Sequence, residues 1–204
     1  IVRQPGKDET TFTTLDDVER KIDSDTLLIC DGEKPVALAG IMGGLNSEVT
    51  NKTVNVLLES ACFNAVSVRK TARRLNLSTD ASYRFERGVD PDGVYDAMSR
   101  AVDLLSEIAG GKPEEAAADV YLGRRPINSQ TIRISQTSKL LGISLNKKTI
   151  TELLTSIGFE IADKDEDTLW VKVPPFRVDI EREADLIEEV ARLFGYDNIP
   201  VNLP

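Results

Sequence analysis

Residues 146–159, NKKTITELLTSIGF, carry the densest structural signal in the chain. Asn146 stands where a helix N-cap belongs. Ile150, Leu153, Leu154 and Ile157 fall on one helical face, and Gly158 supplies a left-handed stop. An amphipathic helix must bury its stripe, and the neighbouring stretches offer the surface. QTIRIS (130–135) has the pattern of a strand, and SQTSKLLG (135–142) that of a short helix ended by Gly142. Downstream, TLWVKVPPFRVDI (168–180) reads as a strand broken at Pro174-Pro175, and EADLIEEVARLFGYDNIP (183–200) as a last helix with its exit. One strand, several helices and a strand pair in so short a span resemble a winged-helix-like α+β unit over residues 128–204.

Before this unit the composition changes. GKPEEAAADVYLGRRPINSQ (111–130) has two prolines, two glycines and little apolar periodicity, so a linker is expected there, at 123–127. Residues 1–122 then form a first domain. TTLDDVERKI (13–22) reads as a short helix capped by Thr13 or Thr14. TLLIC (26–30) and KPVALAG (34–40) flank a turn at Asp31-Gly32, a hairpin pattern. TVNVLLESACF (53–63) is β-branched at its start and predicts a strand. NAVSVRKTARRL (64–75) suits a helix capped by Asn64 with Ala65, Val68, Ala72 and Leu75 inward. A second helix over 93–109 should bury Ala97, Ala101, Leu104, Leu105 and Ile108 and stop at Gly110-Gly111.

The chain has 204 residues, enough for one large core or two modest ones, and a net charge of −9. That charge opposes a general nucleic-acid coat or an anionic membrane surface, but allows a local basic patch. No apolar run is long enough to span a bilayer, and no signal-like opening is present, so a cytoplasmic setting is expected. The first residue is Ile1 rather than methionine, which suggests a piece of something larger. No histidine occurs, which excludes a Ser-His-Asp triad or a histidine metal site within this chain. The two cysteines, Cys30 and Cys62, lack zinc-like spacing and sit beside apolar residues, so buried reduced thiols are expected.

Four features carry chemistry. GIMGG (40–44) fits neither a dinucleotide nor a Walker loop; Gly43 and Gly44 either let backbone approach a ligand closely or form a plain glycine turn. Glu59, alone on an apolar stretch, faces a cleft or ends an exposed strand. Between residues 64 and 90, Arg69, Lys70, Arg73, Arg74, Arg84 and Arg87 outnumber three acids, which suits a phosphate backbone or internal ion pairs. On the last helix Asp185, Glu188 and Glu189 share the arc opposite Leu186, Ile187, Val190, Leu193 and Phe194, with Asp179 just before. Such a face suits a hard cation such as Mg2+, or simply solvent.

In this order, VALAGIMGGLNSEVT (36–50), LLESACFNAVSVRKTARRLNLSTDASYRFERGVDP (57–91) and VPPFRVDIEREADLIEEVARLFGYDNIP (173–200) resemble the beta subunit of bacterial phenylalanyl-tRNA synthetases. The resemblance implies an α+β chain: the C-terminal part of a mixed α/β tRNA-editing domain, then the small winged-helix-like domain. It implies hydrolysis of tRNA(Phe) mischarged with tyrosine, with Glu59 for the tyrosine hydroxyl, Gly43 for close backbone approach, and Thr79 and Ala81 as a small-residue wall. STDA (78–81) would keep that wall small, and SYRFERGVDP (82–91) would brace it. Arg69, Lys70, Arg73 and Arg74 become candidate tRNA contacts. Asp179, Asp185, Glu188 and Glu189 become a Mg2+ site shared with an alpha subunit in an alpha2/beta2 enzyme. ATP would be used by that whole enzyme and not bound here. The family's pocket also uses a histidine, which this chain lacks, so catalysis by the chain alone is not expected. The alternatives are a non-catalytic nucleic-acid-binding module and a subunit-interface protein.

Overall fold

A computed structural model describes residues 1–114, 118–121, 123 and 126–200. The chain divides into two compact units, Ile1–Pro113 and Glu114–Pro204. The expected linker at 123–127 lies partly outside the described residues, as do residues 122 and 201–204 of the expected domains.

The second unit follows its sequence pattern closely. Its described elements run β7 (Ser129–Arg133), α4 (Ile134–Leu141), α5 (Lys147–Ser156), β8 (Glu160–Asp163), β9 (Thr168–Lys172) and α6 (Glu183–Phe194). The strands form an antiparallel sheet in the order β7-β9-β8, with Ile132 opposite Leu169 and Ile161 opposite Val171. The Asn146 side chain accepts a hydrogen bond from the Thr149 N–H and starts α5. Gly142 and Gly158 take left-handed φ values of 68° and 91°, which stop α4 and turn the chain into β8. Ile132, Ile150, Leu154, Leu169, Val171, Leu186 and Val190 are fully buried in one core, with Phe159 among them at 1% exposure. This α+β arrangement, with helices inserted between the first strand and a closing strand pair, is winged-helix-like.

The first unit is built from β1 (Val2–Arg3), β2 (Thr11–Thr13), β3 (Glu19–Lys21), β4 (Leu28–Cys30), β5 (Pro35–Leu38), β6 (Met42–Gly43), α1 (Ala65–Arg74), α2 (Asp80–Phe85) and α3 (Gly93–Ala109). Its main sheet is antiparallel in the order β1-β4-β5-β6, and β2 pairs with β3. The expected hairpin between β4 and β5 forms, with the Asp31 carboxylate accepting from the Glu33 and Lys34 N–H groups in the turn. The α1 helix starts as read: the Asn64 side chain accepts from the Ser67 N–H, and Val68 and Ala72 are buried. Phe12, Ile22, Leu28, Leu38, Ile41 and Phe63 complete this unit's core.

Four expectations for this unit fail. Residues 13–22 form no helix; they close the β2–β3 hairpin. Asp17 sits at φ 59°, and the Thr14 N–H donates to the Val18 carbonyl at 3.1 Å, so the chain reverses before a helical turn can form. Arg20 holds the turn through Thr14 Oγ1 and Asp16, while Phe12 and Ile22 are buried at its ends. Residues 53–63 form no strand, and Val54 and Leu57 are 90% and 99% exposed. The third failure concerns α3: its bounds match expectation, but none of its residues is fully buried and Ile108 is 79% exposed. The fourth is Cys62, which is exposed, whereas Cys30 is buried as expected.

Candidate functional site

Glu59 lines a cleft of about 360 Å³ within the first unit. Phe85 comes from the end of α2, Val89 from the segment after it, and Val94 and Ala97 from the start of α3. Ser60 Oγ donates to the Val94 carbonyl at 2.9 Å and ties the Glu59 segment to α3. The Phe63 and Phe85 rings meet at 5.1 Å and floor the neighbouring backbone. Loss of water around Glu59 pushes its carboxyl above the ordinary value, because low polarity disfavours the charged form. Glu59 is itself exposed, so a hydrogen-bonding carboxyl stands at the rim of a largely apolar slot.

The other three pocket candidates do not line this cleft. Thr79 caps α2: its Oγ1 accepts from the Ser82 N–H and donates to the Ile41 carbonyl at 2.7 Å. That second bond anchors α2 to the loop between β5 and β6, so the hydroxyl is engaged in the fold. Ala81 is half-buried in the first turn of the same helix. Gly43 ends β6 with its carbonyl accepting from the Leu15 N–H, and a Cβ there would meet Leu15 at 3.0 Å. At Gly44 a Cβ would lie 2.6 Å from Phe12 and 2.8 Å from the Val36 carbonyl. Close approach at GIMGG is therefore used by the chain's own sheet. Phe85, Val89 and Val94 were not singled out from sequence; their spacing mimics ordinary core packing and gives no chemical signal.

The basic residues separate into two kinds. Arg74 is internal: it donates to the Lys21 carbonyl and Thr26 Oγ1 and pairs with Asp23 at 2.9 Å. Arg69, Lys70 and Arg73 are exposed on α1.

At the acidic end of the second unit, arginines take most of the carboxylates. Asp179 accepts from Arg177 Nε and Nη2 at 2.9 and 2.6 Å. Glu189 accepts from Arg177 Nη1 at 3.0 Å and Arg192 Nη2 at 2.6 Å. The hydrogen bonds from Arg177 and from Arg192 hold the Asp179 and Glu189 carboxyls, respectively, below their usual range. Asp185 accepts from the backbone N–H groups of Glu181 and Arg182, an N-terminal cap that lowers it too. Glu188 is exposed. The expectation of an exposed face fails at Glu189, which is 8% exposed at the edge of the apolar stripe. The spacing of Glu189 and Arg192, three apart, would have signalled that pair. Among the described residues no three Cys, Asp or Glu side chains are grouped to hold a metal ion. The donor chemistry, all carboxylate oxygen, still suits a hard cation. Also among the described residues, no helix is long and apolar enough to cross a membrane.

Comparisons with known proteins bear on both units. A family model for the B3/4 domain matches residues 1–110, and one for the tRNA synthetase B5 domain matches residues 130–196. The phenylalanine--tRNA ligase beta subunit of Desulfotalea psychrophila is 53% identical over 207 residues, covering 100% of this chain and 25% of the relative. That of Geobacter metallireducens is 47% identical over 204 residues, with coverage of 100% and 25%. The one from Salinibacter ruber is 48% identical over 200 residues, covering 98% and 24%. The chain thus spans about a quarter of the length of the curated relatives it matches. A solved N-terminal fragment of the phenylalanyl-tRNA synthetase beta subunit from Pyrococcus horikoshii is 30% identical at a TM-score of 0.32, over 35% of this chain and 20% of that one. On the family model that matches more than half of its length the chain belongs to the B3/4 domain family, and along its whole length it is similar to a segment of phenylalanine--tRNA ligase beta subunits.

Proposed function

We propose that the chain serves phenylalanine–tRNA ligase as part of its beta subunit, contributing to editing of Tyr-tRNA(Phe) and to assembly with an alpha subunit in an alpha2/beta2 enzyme. Glu59 in its apolar cleft carries this reading. Tyrosine differs from phenylalanine by one hydroxyl. A site that hydrogen-bonds this group discriminates far better than an apolar pocket, because the analogue leaves a polar group unpaired. Glu59 would receive the phenol O–H, and Phe85, Val89 and Val94 would hold the ring. Thr79 would act from behind, by holding α2 against the Ile41 carbonyl, with Ala81 keeping that wall small and Gly43 setting the backbone beside it.

Charging of tRNA(Phe) with phenylalanine at the expense of ATP would belong to the whole cytoplasmic enzyme. In that assembly Asp179, Asp185, Glu188 and Glu189 would be the residues to hold a Mg2+. The ion would supply charge neutralisation at the subunit boundary.

The test uses the intact enzyme. Glu59→Ala should slow deacylation of Tyr-tRNA(Phe) by about tenfold or more, a barrier change of at least ~1.4 kcal/mol. Phenylalanine charging should stay within twofold. Equal loss of both reactions, or of neither, would overturn the assignment.

A further inference from the structure

Glu59 shares its cleft with a second carboxylate. Asp90, in the segment between α2 and α3, lines it as well, together with the apolar Phe85, Val89, Val94 and Ala97. We propose that Asp90 binds the α-ammonium group of the tyrosyl ester whose phenol meets Glu59. The inference rests on the editing reading above and deepens it, by assigning the other end of the same substrate.

A carboxylate held in place with one oxygen to spare is the first observation. Asp90 Oδ1 accepts from the Asp92 N–H at 3.0 Å, which fixes the half-buried side chain against its own turn. Oδ2 accepts no hydrogen bond among the described residues. It lies beside Gly93, where a Cβ would meet it at 3.1 Å. Gly93 also lines the cleft, so the missing side chain leaves this oxygen open on that side.

Charge placement is the second. Among the described residues neither Glu59 nor Asp90 forms an ion pair, whereas Asp23, Asp179 and Glu189 each have an arginine. No lysine or arginine lines the cleft. A carboxylate beside apolar side chains and without a counter-ion is stabilised by a cation that arrives with a ligand. An α-amino group titrates at about 7.7–8.0, so an aminoacyl ester brings such a cation at neutral pH, at the end remote from the phenol. The two carboxylates come from separate segments, and the bond from Ser60 Oγ to the Val94 carbonyl ties one segment to the helix that follows the other. Tyrosyl and phenylalanyl esters carry the same ammonium. Asp90 therefore holds both alike, and only Glu59 reads the hydroxyl.

The experiment measures deacylation by the intact enzyme with two substrates. One is Tyr-tRNA(Phe); the other is tRNA(Phe) esterified with 3-(4-hydroxyphenyl)propionate, which keeps the phenol and lacks the amine. Asp90→Asn retains an Oδ1 acceptor for the Asp92 N–H and removes the charge. It should lower kcat/KM for Tyr-tRNA(Phe) by about tenfold or more, as loss of a charged hydrogen bond does. On the amine-free ester, variant and parent should agree within about twofold, because the contact is already missing. An equal loss on both esters would show that Asp90 acts only through the fold, and an unchanged rate on Tyr-tRNA(Phe) would show a solvated turn; either result overturns the proposal. Glu59→Ala separates the ammonium site from the reading beneath it. Should that variant leave editing intact while Asp90→Asn behaves as described, the phenol assignment falls and the ammonium site stands. Should Glu59→Ala alone slow editing, the ammonium site falls and the phenol assignment stands.

Discussion

The two units use similar raw materials and end in different states. In the second, every apolar stripe meets another: α5 and α6 close over β7 and β9, and Ile150, Leu154, Leu169 and Val190 are all at 0% exposure. In the first, a core of comparable residue types forms around β4, β5 and α1, yet apolar sequence continues beyond it uncovered. Residues 53–58 hold Val54, Val56 and Leu57 in solvent, and α3 carries an apolar stripe with no fully buried residue. Propensity without a partner does not make structure: β-branched residues form a strand only where another strand supplies the ladder.

The largest expected effect lies in the closed unit. Leu154→Ala removes a side chain at 0% exposure and should destabilise this unit by about 2–5 kcal/mol, read by denaturant unfolding. A loss below about 1 kcal/mol would mean that the core collapses around the gap and is less tightly packed than its exposure values imply.

Arg177→Ala should come next. It strips Glu189 of one cationic partner at an almost buried position, at a cost of about 2–3 kcal/mol at neutral pH, because Arg192 remains. The direction with pH follows from the lowered carboxyls of Glu189 and Asp179. Their contribution is complete above the ordinary carboxylate range and fades as pH falls through the depressed folded values. The difference between wild type and variant should therefore shrink in acid. A difference that grew on acidification would contradict the pairing.

The smallest effect belongs to the open region. Leu57→Ser replaces a side chain 99% exposed and should change stability by no more than about 0.5 kcal/mol. A cost comparable to that of Leu154→Ala would show that residues 53–58 are packed.

Legibility in the sequence follows the same division. Signals closed within a few residues translated directly: the Asn146 and Asn64 caps, the left-handed Gly142, Gly158 and Gly110, and the Asp31 turn. Signals that depend on distant partners did not. TTLDDVERKI carries a helical composition, but Arg20 and the buried Thr14 tie it into a hairpin. Likewise, Glu59 stood out as a lone carboxylate, while the residues around it became visible only once α2 and α3 were placed. The acidic residues near α6 are legible as a cluster, and the Glu189–Arg192 pair from its spacing; that Arg177 would reach Glu189 from the preceding segment required the three-dimensional arrangement.

The contrast between a self-sufficient unit and an open one is tested most directly by native-state amide hydrogen exchange on the 204-residue chain. Amides of β7, β9, α5 and α6 should exchange only through global opening of their unit, and those of residues 53–58 at rates near an unfolded peptide. Comparable protection in both regions would contradict the account.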